Sequence, residues 1–129
     1  MDINHLGIFV SDLNSARNFF EKFFGFTSGE KYTNSLKKFS SYLLTSDTGK
    51  SHIEIMHRED IKEKSDLNFF TGLHHMSFTV GSDSAVDSFA ERLASEGYEI
   101  IDGPRKTGDG YYECCIRVFD GILIEVCSE

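Results

Sequence analysis

His5-Leu6-Gly7-Ile8-Phe9-Val10 and His75-Met76-Ser77-Phe78-Thr79-Val80 decide the fold. Each stretch is a histidine opening an apolar, strand-like run. Each leads to a helix-capping residue, Asp12 in the first copy and Asp83 in the second. A helical stripe follows. In the first copy it is Ala16, Phe19, Phe20, Phe23 and Phe24, spaced i, i+3, i+4, i+7 and i+8. In the second it is Val86, Phe89, Ala90 and Leu93. Gly25 and Gly97 stand where helix C-caps belong.

Three strand-like segments come after each helix. They lie near 26–32, 37–45 and 51–57 in the first copy, and near 98–102, 111–119 and 121–127 in the second. The closing segments match as well, His52-Ile53-Glu54-Ile55-Met56 against Leu123-Ile124-Glu125-Val126-Cys127. Self-similarity at a fixed spacing marks a repeated structural unit. The spacing is 70 residues from His5 to His75 and 71 from Glu54 to Glu125. The chain therefore reads as α+β, two tandem βαβββ modules in one domain over 1–129. Module 1 spans about 1–57, a linker about 58–71 and module 2 about 72–129. The charged run from Arg58 to Lys64 opens that linker and reads as solvated.

Composition agrees with a single globular domain. The chain has 129 residues, 40% hydrophobic and 13% aromatic, with twelve Phe. That is too apolar and aromatic for an intrinsically disordered chain. The net charge is −8: residues 1–64 carry nine Lys/Arg and nine Asp/Glu, residues 65–129 four and twelve. No basic stripe is present, so neither nucleic acid nor an anionic membrane is expected as a partner. Apolar runs stop at three residues, far short of a membrane span, and Met1-Asp2-Ile3-Asn4-His5 has no signal-peptide character. Three Cys, two of them adjacent, argue against a disulfide framework, and a reducing cytoplasm fits best.

The repeat places one His and one Glu at equivalent points of each module. Glu54 stands between Ile53 and Ile55, and Glu125 between Ile124 and Val126. Alternation along a strand sends those neighbours to the face opposite the Glu. If the neighbours fill the core, both carboxylates point away from it, an odd place for one and a sensible place for two sharing a metal. Two imidazoles and two carboxylates suit a divalent ion such as Ni, Co, Fe, Mn or Zn, with positions left for water or substrate. His74 points to the face opposite His75 and reads as structural. His52 shares a face with Glu54, and His57, opposite Glu54, has no role assigned. Cys127 reads as a small apolar filler. Of Tyr111 and Tyr112, which alternate faces, one is expected to line the site face and the other the core.

With His5, Glu54, His75 and Glu125 in paired modules, the sequence resembles the vicinal oxygen chelate superfamily. More narrowly it resembles the bacterial glyoxalase I-type proteins. The resemblance runs over nearly the whole chain. It rests on the opening segment through Phe24-Gly25-Phe26, on Gly72-Leu73-His74-His75-Met76-Ser77-Phe78, on Gly103 to Glu113, and on Asp120-Gly121-Ile122-Leu123-Ile124-Glu125. It implies two sheets forming a cupped, half-open mixed barrel with the helices outside. It implies that His5, Glu54, His75 and Glu125 bind a divalent transition metal, with Ni, Zn or Co favoured, and that the chain forms a homodimer. The implied activity is that of a lactoylglutathione lyase-type carbon–sulfur lyase. The substrate is then a 2-oxoaldehyde–thiol hemithioacetal, converted through an enediolate to a 2-hydroxyacyl thioester, with Glu125 moving the proton. Arg17, Arg105, Lys106 and Arg117 are the candidates for an anionic thiol such as glutathione. Arg105-Lys106 reads first as part of a solvated Gly-rich turn. Other readings stay open: epimerase or fosfomycin-type thiol-transferase chemistry on the same fold, and a non-catalytic drug-binding protein of the bleomycin-resistance kind.

Overall fold

Alternation of apolar and polar residues builds two sheets, and each is closed by the strand that matters for function. The computed structural model describes residues 1–62 and 71–129. Of the linker expected over 58–71, residues 63–70 lie outside the described residues. The chain divides into two compact units, Met1–Glu63 and Lys64–Glu129.

The first unit runs β1 (Leu6–Phe9), α1 (Leu13–Phe24), β2 (Thr27–Ser28), β3 (Tyr32–Asn34), β4 (Phe39–Thr45) and β5 (His52–Arg58). Its sheet order is β1-β5-β4-β2, with β3 also on β4. β1 pairs with β5 in parallel and β5 with β4 antiparallel. Asp12 caps α1 by accepting from the backbone N–H groups of Asn14 and Ser15, each at 2.9 Å. Those hydrogen bonds, Ser15's first, hold its carboxyl below the usual range. The helix ends at Gly25, whose left-handed φ of 66° is the conformation that favours glycine. Leu13, Ala16, Phe19, Phe20 and Phe23 are buried, packing α1 on β4 and β5. Phe24, the last member of the expected stripe, is half-buried.

The second unit repeats this plan with β6 (His75–Gly81), α2 (Asp83–Ser95), β7 (Glu99–Lys106), β8 (Tyr112–Arg117), a 3-10 turn (Phe119–Gly121) and β9 (Leu123–Ser128). Its order is β6-β9-β8-β7, with β6 parallel to β9. The helix buries Val86, Ala90 and Leu93 against the sheet, where Ile116, Ile124 and Val126 are fully buried.

The α+β class and the tandem modules match the expectation, and four local readings are corrected. Ser82, not Asp83, caps α2, because its side chain accepts from Ala85 N and Asp83 already has helical backbone. Gly97 sits one residue past the C-cap, Glu96, and Tyr98 N closes the turn on Leu93 O. The segment read as one strand over 26–32 is two short strands, interrupted at 29–31, that pair separately with β4. Strand β7 runs on to Lys106 through two irregularities in its register with β8. One of them brackets Gly103-Pro104; Gly103 has φ of 79°, and a Cβ there would collide with the Glu113 carbonyl oxygen. Arg105 and Lys106 therefore end a strand rather than belong to a turn, and Arg105 is paired with Asp102.

Strand β5 takes in Arg58, and Glu59 and Asp60 beside it are held at the surface by Arg58–Asp60 and Lys38–Glu59 ion pairs. Among the described residues no helix is long and apolar enough to cross a membrane.

Phe20 has no solvent exposure, whereas Leu36 in a turn is 97% exposed. Phe20→Ala is expected to lower unfolding free energy by about 3–5 kcal/mol through the lost burial and the cavity left behind. Leu36→Ala stays within about 0.5 kcal/mol of the parent. Urea titrations followed by circular dichroism measure both.

Candidate functional site

Each unit brings its histidine and its glutamate together, and does so in the same way. In the first unit Gly7 stands beside Glu54 across the parallel β1–β5 ladder. His5, two residues before Gly7, shares its side of the chain and ends with Nε2 3.6 Å from Glu54 Oε2. In the second unit Ser77 stands beside Glu125, and His75, two residues earlier on β6, has Nε2 3.6 Å from Glu125 Oε2. His75 begins its strand, whereas His5 immediately precedes its own.

The expected face assignment is what produces these pairs. Ile53 and Ile55 are buried on the helix side of the first sheet, and Ile124 and Val126 on that of the second. The intervening glutamates must point the other way. The histidine side chains are 41% and 37% exposed and the glutamates 28% and 18%, so both pairs are open to a ligand.

Hydrogen bonding prepares the imidazoles. His5 Nδ1 is 2.8 Å from Asn4 Oδ1, an atom that only accepts, so Nδ1–H donates and Nε2 is the ring nitrogen turned to Glu54. His75 Nδ1 is 2.8 Å from His74 Nδ1, one ring donating and the other accepting. His74 thus does not project from the opposite face of β6: it precedes the strand, is exposed and touches the His75 ring edge-on.

The remaining histidines serve the frame. His57 Nδ1 donates to Val10 O at 3.0 Å, and His52 shares a 3.1 Å hydrogen bond with Thr45 Oγ1.

A separation of 3.6 Å is beyond hydrogen-bond reach. Two donors each about 2.1 Å from one ion lie about 3.0–3.4 Å apart between the right and tetrahedral angles, so small side-chain adjustments would seat a cation. Nitrogen and oxygen donors of this kind fit a divalent transition metal. Among the described residues no group of three or more His, Cys, Asp and Glu side chains is placed to hold a metal ion, so what each unit provides is a two-donor pair.

The surroundings of the two glutamates differ. Around Glu54 stand Gly7, Leu43 and Met56, with Phe9 opposite Met56. Around Glu125 stand Ser77, Cys115 and Cys127, with Thr79 opposite Cys127 and Glu113 on the neighbouring strand. Ser77 Oγ donates to Glu125 Oε1 at 2.7 Å, a partner that inspection of the histidines and glutamates alone did not reveal. Its signal was already visible in the repeat, where Ser77 replaces Gly7.

Burial first, and then the Glu125 carboxylate, push the Glu113 carboxyl and the Cys115 thiol upward. Burial pushes the Cys114 thiol up to about 12, so it stays protonated and inert. Cys127 is buried beside Ser77, as a small filler should be.

The three candidate arginines are engaged elsewhere. Arg17 lies over the Tyr42 ring, and Tyr42 is opposite Ile55 on the helix side of its sheet. Arg105 pairs with Asp102, and Arg117 with Glu99 at 3.0 Å. Tyr111 precedes β8 and is exposed, and Tyr112 donates to Asp87 of the helix at 2.7 Å. Neither tyrosine lies beside Glu125.

A family model described as the glyoxalase/bleomycin resistance protein/dioxygenase superfamily matches residues 2–126. The chain belongs to that superfamily. A curated relative, the uncharacterized protein YqjT of Bacillus subtilis (strain 168), is 27% identical over 96% of both chains. A glyoxalase family protein from Bacillus cereus shares the fold at 22% identity, with a TM-score of 0.82 over 100% of this chain and 94% of its own. A mutant of the fosfomycin resistance protein FosX from Listeria monocytogenes, solved with Mn(II) and 1S,2S-dihydroxypropylphosphonic acid, shares it at 17% identity. There the TM-score is 0.72, over 98% of this chain and 89% of the other. Superfamily members thus bind small molecules, and one of them binds Mn(II).

The raised Glu113 pKa has a sign that can be checked. Above the ordinary carboxylate range the native state must ionise a group it holds less comfortably than the unfolded chain does. Glu113→Gln is therefore expected to raise the Tm of chelator-treated protein at pH 7. The gain should shrink as pH falls, and vanish below about pH 4, where both states are protonated. Thermal unfolding across that range measures it.

Proposed function

We propose that this protein is a metal-dependent enzyme of the glyoxalase I type, acting on the hemithioacetal of a 2-oxoaldehyde and a thiol and yielding a 2-hydroxyacyl thioester. His5, Glu54, His75 and Glu125 supply the donors, and a homodimer is part of the same reading. The observation that supports it is the His–Glu pair built twice, at 3.6 Å each time, from equivalent positions of two units.

When bound, a divalent ion acts as a Lewis acid toward oxygens of the substrate and lowers the cost of negative charge developing there. The chain does the rest. Asn4 holds the His5 ring with its Nε2 facing Glu54. Glu125 is the base: Oε2, the oxygen facing His75, takes the proton from the carbon bearing the thiol and returns it to the adjacent carbon. Both transfers involve one proton, so the reaction is an isomerisation with no oxidant or reductant. A carboxylate suits this task when it is held close to the substrate and water is limited, because its basicity then rises toward working pH. The half-exposed apolar side chains around Glu54, Phe9 and Leu43 among them, offer the uncharged part of the substrate a surface to lie on.

Calorimetric titration of chelator-stripped protein with Ni(II), Co(II), Zn(II) and Mn(II) tests the donor set. Tight binding of at least one ion is expected. His75→Ala should weaken it at least about tenfold more than His74→Ala, since a direct ligand outweighs the partner that orients it. Glu125→Gln should retain most metal and lose turnover on a panel of 2-oxoaldehydes and thiols by about a hundredfold or more, as loss of a general base does. Equal effects of the two histidine changes, or full turnover by Glu125→Gln, would sink the assignment.

A further inference from the structure

We infer that Ser77 is a positioning residue that fixes one oxygen of Glu125, and that it makes the two His–Glu pairs unequal: one carboxylate is anchored by a strand hydroxyl and the other has no such anchor. This rests on the metal-site reading above and adds a residue to it.

The geometry is local to the second unit. Ser77 and Glu125 are partners across the parallel β6–β9 ladder, and Ser77 Oγ donates to Oε1 at 2.7 Å. His75 lies two residues before Ser77 and faces the other oxygen, Oε2, at 3.6 Å. The two oxygens are thereby assigned. Oε1 is taken by a short hydroxyl hydrogen bond, and Oε2 is left toward the imidazole. A hydroxyl on a β-strand has few rotamers, and a carboxylate held at one oxygen loses most of its freedom about its terminal torsions.

The first unit shows what the same position looks like without the anchor. Gly7 occupies the place of Ser77 beside Glu54 and has no side chain to donate. The residue two places beyond each glutamate explains the exchange. After Glu54 it is Met56, whose Cε would lie 3.1 Å from a Cβ added at Gly7. After Glu125 it is Cys127, whose shorter side chain leaves its Sγ 3.6 Å from Ser77 Oγ. Gly with Met, and Ser with Cys, fill the same space in two ways. Only the second places a hydrogen-bond donor on the carboxylate. Buried Cys127 also stands between Ser77 and Thr79, so the hydroxyl is confined from behind.

In function the difference separates two tasks. An anchored Glu125 keeps Oε2 at one place whether it is bound to an ion or released from it, as a base that takes and returns a proton at adjacent atoms requires. Glu54 lacks that restraint, and its position is set by His5 and whatever it binds.

The test uses the full chain, stripped of metal, with glutamate carboxyl carbons labelled with carbon-13. The resonances of Glu125 and Glu54 are identified by their loss in E125Q and E54Q. In the metal-free protein S77A should move the Glu125 resonance and leave that of Glu54 in place, and S77T, which keeps the hydroxyl, should restore it. Mn(II) titration then reads the consequence. S77A should weaken Mn(II) binding about tenfold, the usual effect of removing a group that orients a ligand. S77T should recover it. S77A added to E125A should cost no more than about twofold beyond E125A alone, because with no acceptor left at 125 the hydroxyl has nothing to hold. A Glu125 resonance unmoved in S77A overturns the anchoring whatever the metal result. Fully additive losses in the double variant overturn the claim that Ser77 acts through Glu125. Wild type that binds no Mn(II), Ni(II), Co(II) or Zn(II) overturns the metal reading itself, and the metal-free resonances still report separately whether Ser77 holds Glu125.

Discussion

The parallel pairing of the first and last strand within each unit is the constraint on which the rest depends. Antiparallel neighbours can be joined by a tight turn, but parallel neighbours require a crossover. Here a helix and two or more strands lie between β1 and β5, and between β6 and β9. The long excursion returns the chain beside its own start. Residues 49 or 50 positions apart, His5 with Glu54 and His75 with Glu125, thereby become neighbours. Register matters as much as pairing. A slip by one residue would send each glutamate into the core and bring an isoleucine out. Ile53 and Ile55, at 4% and 0% exposure, and Ile124 and Val126, both at 0%, make such a slip costly. The apolar packing under each helix is therefore what aims the carboxylates.

A repeated unit need not stay symmetric once its frame is fixed. The two helices differ in how they begin and end: Asp12 and Gly25 bound one, Ser82 and Glu96 the other. The sheets differ in width, because the first splits its opening strand after the helix into β2 and β3. None of this disturbs the pairs, which keep the same separation in both units. The differences beside the pairs are of another kind. Gly7, Leu43 and Met56 make an apolar setting for Glu54, and Ser77, Cys115 and Cys127 a polarisable and hydrogen-bonding one for Glu125. The frame is duplicated, and the chemistry beside it is divided.

The duplication is also why so much was legible beforehand. A single strand glutamate between two isoleucines says little, since carboxylates usually face solvent anyway. Two of them at a 71-residue spacing, each matched to a histidine, point to a shared design. Both helices, their buried stripes and the two closing strands follow from periodicity alone. What periodicity misses is decided by single atoms. Ser82 and Asp83 are equally good caps by type, and only the backbone reveals which one still has extended dihedrals. Arg105-Lys106 in a Gly-rich stretch reads as a turn, yet irregular pairing lets β7 pass through Gly103-Pro104 and take in both residues, with Arg105 paired to Asp102. Asn4, His74 and Ser77 escape for a similar reason: their importance lies in which ring nitrogen or carboxylate oxygen each touches.

The same atoms bear on why a cation suits these pairs. Asn4 takes the His5 Nδ1 hydrogen bond, so Nε2 and Glu54 Oε2 are the atoms that face one another across 3.6 Å in the first unit. Without a proton or a cation between them, that arrangement is unfavourable. The second unit adds a further reason. Glu113 lies on the strand beside Glu125, and burial together with that neighbouring carboxylate makes its own ionisation harder. Cys115 is held protonated by the same two influences. Arg105 opposes the shift of Glu113 and Arg117 that of Cys115, but each arginine is itself paired, with Asp102 and Glu99. Glu113 and Glu125 thus stand on adjacent strands in the half of the chain that carries the entire excess of acidic residues. A divalent ion bound at Glu125 would also offset the strain of two carboxylates on adjacent strands, so the electrostatics of that face and the chemistry of its donors favour the same occupant.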